Sequence, residues 1–293
     1  MEGKFLKIWG WKTTGRPKTG AGMSSVTRLV IRYKLLSTFL SVSTAAAFQG
    51  APPPEQTPAQ EARQAMVQAI DEGRLVSPLG NSAWDHYESF VRSLPKEGQR
   101  LEADDQMVIA FASAGDQILC EYRRGEQVVS LDAASYEEGA RLFGYASEIA
   151  PFDLALQAKA KFMAGQAQAK KGNFSEAARA LQQAVSLDPA AAYSYNALGQ
   201  VYLEQGRWGD AIENFRSATA RAGKWIYPRF NLFQAYMQMN RFSDAEEELQ
   251  IGIEIENELG ISYSYLHYNL ARLYLYQGRY QEAAVEFRRA QAS

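Results

Sequence analysis

The sequence predicts an all-α protein whose C-terminal half is a stack of antiparallel helix pairs. Three observations predict it: one motif recurs four times, its small and large apolar residues keep matched places, and a glycine or asparagine falls at the same point of every copy. The clearest copy reads Leu198-Gly199, Tyr202, Gly206-Arg207-Trp208, Ala211, Phe215 and Ala218. The others read Ala164-Gly165, Gly172-Asn173-Phe174, Ala177, Leu181, Ala184 and Pro189; Leu232-Phe233, Tyr236, Asn240-Arg241-Phe242, Ala245 and Leu249; and Leu270-Ala271, Tyr274, Gly278-Arg279-Tyr280, Ala283, Phe287 and Ala290. Copies beginning at 158, 192, 226 and 264 are spaced by 34, 34 and 38 residues, so one carries a four-residue insertion. A fixed period of this length is the mark of stacked supersecondary units.

Each part of the motif has a physical reason. Gly165, Gly199, Ala211, Ala218, Ala271 and Ala283 mark points where an inner and an outer helix must approach closely. Leu198, Tyr202 and Phe215 with their counterparts fill the space between, while Gly172, Gly206, Asn240 and Gly278 end the inner helices in a left-handed turn. Two positions depart from the pattern: Gln168 replaces the tyrosine of the other copies, and Gly252 replaces an alanine.

In period and residue pattern, residues 158–293 resemble the tetratricopeptide repeat family, with copies at 158–191, 192–225, 226–263 and 264–293. The resemblance implies a right-handed α-solenoid whose inner helices line a concave, partner-binding surface. It nominates Lys159, Phe162, Gln166, Tyr193, Asn196, Gln200, Tyr227, Phe230, Gln234, Tyr265, Tyr268 and Arg272 for that surface, a ladder of aromatic rings and amides suited to a peptide or flexible loop. The competing reading of any one of these rings is packing against the next repeat. Some members clamp a C-terminal carboxylate with Lys, Arg and Asn; the matching places here hold Phe162, Ala197, Tyr227 and Asn231, so no such clamp is expected. Ala283, Phe287 and Ala290 on the last outer helix form a second expected contact, an apolar edge for self-association or docking.

Upstream the pattern weakens. Gly139, Phe143, Ala146 and Pro151 keep the outer-helix spacing and Asp104 to Arg124 supplies a partner helix, so 85–157 reads as a degenerate helical cap or as a separate small bundle docked on the array. Residues 49–84 read as a Pro-rich tether followed by one amphipathic helix, Ala59 to Glu72. Residues 1–48 read as an export signal: Arg28, Arg32 and Lys34 precede the apolar run Leu35 to Val42 and an Ala45-Ala46-Ala47 cleavage site, with Met23 a candidate start. The expected location is therefore periplasmic or extracellular, with an uncleaved N-terminal anchor as the alternative.

Of 31 basic and 33 acidic residues, eight and one fall in residues 1–48, leaving 23 against 32 and a formal charge of −9 beyond them. Such an acidic body disfavours nucleic acid and anionic lipid as partners. The single cysteine, Cys120, permits no internal disulfide and reads as a small buried apolar residue. His86 and His267 lie apart, neither with a second ligand at metal spacing, and His267 reads as a packing residue. Glu246-Glu247-Glu248 and similar carboxylate runs read as solvated faces, and no nucleophile and base can be paired. The expectation is thus no cofactor, no metal, no catalysis and a protein partner, with a substrate- or peptide-binding subunit of an envelope enzyme complex as second reading and a catalytic site in 85–157 as a third.

Overall fold

A computed structural model describes residues 57–124 and 131–292 of the chain. The expected export signal and the Pro-rich run at 52–54 lie outside the described residues. The described residues form twelve helices and no strand: α1 (Pro58–Asp71), α2 (Ala83–Arg92), α3 (Glu97–Arg124), α4 (Ala133–Ile149), α5 (Leu154–Lys170), α6 (Phe174–Leu187), α7 (Ala192–Glu204), α8 (Trp208–Arg221), α9 (Tyr227–Gln238), α10 (Phe242–Leu259), α11 (Ser264–Tyr276) and α12 (Tyr280–Ala292). None of these helices is long and apolar enough to cross a membrane.

Each helix packs on the next, and α7 also touches α5 and α9, the inner helices of the adjoining pairs. This is the stacked helix-pair solenoid that the repeats predict. Side-chain caps set several of the starts. Thr57 and Gln60 form a reciprocal capping box at α1, Ser82 and Asp85 form another at α2, and Asp132 and Asp153 cap α4 and α5. The inner helices end as expected, with positive φ at Gly172 (79°), Gly206 (70°), Asn240 (55°) and Gly278 (75°). The following amide then reaches back five residues, as in Arg207 N–H to the Tyr202 carbonyl at 2.9 Å and Arg279 N–H to that of Tyr274 at 2.8 Å.

The same arginines reinforce these turns. Arg207, Arg241 and Arg279 each lie over the ring that closes their own inner helix, Tyr202, Tyr236 and Tyr274, at 4.2, 4.7 and 4.0 Å from its centroid. Two of the ring hydroxyls also accept from the preceding outer helix, from Gln182 Nε2 at 2.7 Å and Arg216 Nη2 at 2.8 Å. Where Gln168 stands instead of tyrosine, its amide accepts from Asn173 within the turn, and Lys171 of the same turn pairs with Glu137 of the preceding outer helix.

The close approach inside α3–α4, α5–α6 and α7–α8 is steric. A Cβ on Gly199 would lie 2.6 Å from the Phe215 ring, and one on Gly165 would lie 2.6 Å from Leu181. The pair α3–α4 shows the same device, since a Cβ on Gly115 would lie 2.6 Å from the Phe143 ring. Region 85–157 therefore contains a further helix pair packed as the repeats are. The start of α5 at Leu154 places the expected junction at 157/158 inside that helix.

Two expectations are corrected here. Cys120 is exposed, because the buried stripe of α3 runs through Gly115 and Leu119 and turns Cys120 outward. Ala283 is 0% exposed, because it is a crossing-point residue against α11 and not part of an open edge.

Replacing Gly199 with Val should lower stability by about 2–3 kcal/mol, since the fully buried Phe215 has nowhere to move. Gly144→Ala, where an added Cβ meets nothing within 4 Å, should raise it by up to about 1 kcal/mol. Urea midpoints of the two variants against the parent chain give both values.

Candidate partner-binding groove

The inner helices α7, α9 and α11 bring their amides and rings to one face. A cleft of ≈ 490 Å³ is bounded by Gln166, Asn196, Gln200, Tyr227, Phe230 and Gln234, six of the residues nominated from sequence, together with Tyr122, Trp225 and Asn231. It shares Leu203, Glu204 and Gln234 with a second cleft of ≈ 680 Å³, which continues through Trp208, Phe233, Met237, Asn269, Arg272 and Tyr276. The two make one continuous groove. Tyr265 and Tyr268 line a separate depression of ≈ 490 Å³ with Phe287 and Ala290.

Phe162 is not on the open surface, which corrects its nomination, and Lys159 and Tyr193 are half-buried beside it. The last turns of α3 lie over them. Lys159 pairs with Asp116 of α3 at 2.6 Å and lies over the Phe143 ring. Phe162 is 0% exposed, edge-on to Tyr122 at 5.1 Å and to Tyr193 at 4.9 Å. Burial pushes the Tyr193 phenol above its ordinary value, with Asp188 adding to the rise.

Much of the expected ring ladder also packs on itself. Tyr265 stacks with Tyr227 at 6.4 Å and meets Phe230 edge-on at 5.0 Å, and Phe230 lies 5.6 Å from Phe233. Of the expected rings Tyr268 stays open, in the separate depression, while the open rings of the groove itself are Trp208 and Tyr276, which is 68% exposed. Those two residues and Trp225 were not nominated from sequence. Trp208 and Tyr276 sit at the turn between helices of a pair and Trp225 lies in a connection between pairs, so inner-helix periodicity alone passes over them.

The amides form a relay. Asn231 Nδ2 donates to Asn196 Oδ1 at 2.8 Å, Asn196 Nδ2 donates to the Tyr122 hydroxyl at 2.9 Å, and that hydroxyl donates to Gln200 Oε1 at 3.3 Å. Asn196 is 2% exposed, so these bonds are what make its burial tolerable.

A tetratricopeptide repeat description matches residues 162–224, 202–258 and 266–289. A stack of helix pairs with a groove along its inner helices defines an α-solenoid of the kind that supports protein–protein interaction. More particularly, residues 162–289 of this chain are made of tetratricopeptide repeats. No curated protein matches it. Among solved structures, a crystal structure of MamA is similar at 19% identity and TM-score 0.45, covering 54% of this chain and 88% of that one. MamA 41-end from Desulfovibrio magneticus RS-1 is similar at 18% identity and TM-score 0.47, covering 64% and 94%.

Charged clusters also lie outside the groove. In the N-terminal region, Trp84, Tyr87, Glu88, Arg92, Arg100 and Asp104 line a cleft of ≈ 370 Å³. Their charges meet one another there, Arg92 with Glu88 at 2.7 Å and the Tyr87 hydroxyl donating to Asp104 at 2.7 Å. At the last pair, His267 is more than a packing residue. Its Nδ1 lies 2.7 Å from Glu286 Oε2 and its Nε2 lies 4.0 Å from Glu256 Oε2, with Arg289 bonded to the other Glu286 oxygen at 2.6 Å. No group of three or more His, Cys, Asp or Glu able to hold a metal ion occurs among the described residues.

Glu256 is 2% exposed, and burial raises its carboxyl above the ordinary range despite the opposing Tyr263 amide and His267 ring. A carboxyl with a raised folded-state pKa contributes stability that is complete below its unfolded value and is lost as pH rises through the folded one. The α10–α12 segment should therefore lose stability as pH rises through the acidic range, and Glu256→Gln should remove that part of the loss. Amide exchange in α11, followed against pH in both chains, measures it.

Proposed function

We propose that the chain is an exported scaffold that holds another polypeptide along its inner-helix groove. The observation that carries the reading is the continuity of the two clefts from Asn196 to Tyr276, with amides to pair with a peptide backbone and rings to cover its side chains. Among the described residues the groove has few charges, Lys170, Glu204 and Arg272. A segment of mixed apolar and polar character suits that surface better than an acidic tail. Among the described residues that line the groove no nucleophile is paired with a base, and the proposed role is binding.

Arg272→Ala combined with Tyr276→Ala should weaken a partner captured by crosslinking and then purified by about thirtyfold, the loss of one interface hot spot. Both side chains are exposed, so thermal stability should stay within about 1 kcal/mol of the parent. Undiminished affinity would move the interface off this groove.

Export rests on residues 1–48, with their basic stretch, short apolar run and alanine-rich cleavage site. The chain recovered from cells should begin just after Ala47 and separate with the envelope or the medium. N-terminal sequencing of the fractionated protein decides between this and a retained anchor.

A further inference from the structure

The end of α3 enters the groove and shows what that end of it selects. Tyr122 is edge-on to Phe162 at 5.1 Å and to Trp225 at 6.3 Å, and its hydroxyl is held by Asn196 at 2.9 Å and Gln200 at 3.3 Å. Asn196 is in turn held by Asn231 at 2.8 Å, so the donor is aimed at the hydroxyl by the repeats and not by α3. One residue on, the Arg123 carbonyl accepts from the Trp225 indole at 3.0 Å. Among carbonyls at a helix end, which lack intrahelical donors, this one has found its partner in the groove. Rings, amides and an indole donor together receive one tyrosine and one backbone carbonyl, which is what any tyrosine-bearing strand could present.

The tip of α3 is otherwise solvated, with Cys120, Glu121, Arg123 and Arg124 all exposed, so few side chains besides Tyr122 hold it down. The site also leads directly into the open groove, because Gln234, Leu203 and Glu204 border both clefts. Building on the groove reading above, we propose that this end of the groove is a phenol-selective subsite which the chain fills with its own Tyr122. A tyrosine-bearing segment of a partner polypeptide takes that place when the tip of α3 gives way.

The test uses the full chain carrying Tyr122→Ala and a synthetic peptide of residues 113–124 with Cys120→Ser, beside a twin peptide that also carries Tyr122→Phe. Calorimetry should show saturable binding of the tyrosine peptide to the variant chain, about tenfold weaker binding of the twin, and about tenfold weaker binding of the tyrosine peptide to the parent chain. No saturable binding, or equal binding of the two peptides, would overturn the subsite. Should Tyr122→Ala fail to fold, Tyr122→Phe keeps the ring and drops the hydroxyl. Amide exchange at the tip of α3 must then quicken while its first turns stay unchanged, and an unaltered tip overturns the proposal. Failure here leaves the Arg272 and Tyr276 result intact, because that pair reads the other cleft; loss of the Arg272 and Tyr276 effect with peptide binding preserved would sink only the wider groove reading.

Discussion

The close crossing of each inner helix over its outer partner is the constraint on which the rest depends. In α3–α4, α5–α6 and α7–α8 one side has almost no side chain where the other presents a ring or a branched residue, as Gly199 does beneath Phe215 and Gly115 beneath Phe143, whereas α9 carries Phe233 at that place. With the crossing set by that contact and the turn set by a left-handed Gly206 or its equivalent, successive pairs can differ little in geometry. The inner helices then fall side by side. Their outward residues become one surface without any further instruction.

Helix α3 changes what that surface is. Twenty-eight residues long against seventeen in α4, it carries its last turn onto the repeats. Lys159, Phe162 and Tyr193 become an internal interface, and the amide relay from Asn231 to Gln200 closes over Tyr122. A polar network of this kind orients its members strongly because each buried amide would be costly without its neighbour. The open part of the groove is consequently displaced toward α9 and α11.

The last pair keeps the tyrosine-hydroxyl link of the earlier ones, Tyr274 donating to Glu246 at 3.0 Å, and adds a further contact. Where α6 and α8 meet the following inner helix through a neutral amide or an arginine on a tyrosine hydroxyl, α10 and α12 enclose an imidazole between two carboxylates. Burial of the Glu256 carboxyl, which raises it above the ordinary range, makes the local stability depend on its protonation, whereas the glycine and ring crossings do not. Different parts of one array thus respond to different conditions, which a structure of nearest-neighbour units allows.

Within the repeats, the amino-acid sequence alone determined the helix pairs, the left-handed turns at Gly172, Gly206, Asn240 and Gly278, and the inner-helix origin of the groove amides, because each follows from spacing within some 34 residues. The packing of α3–α4 as another such pair was visible only in part, through Gly139, Phe143 and Ala146, since its glycine and ring are separated by the long connection after Arg124. Only the tertiary structure decided which groove residues stay open, that Ala283 is covered, that Cys120 faces outward, and that His267 stands between two carboxylates. Those depend on where elements distant in the chain come to rest: Tyr122 meets Asn196 across 74 residues and Trp225 meets Arg123 across 102, separations over which no periodicity carries information.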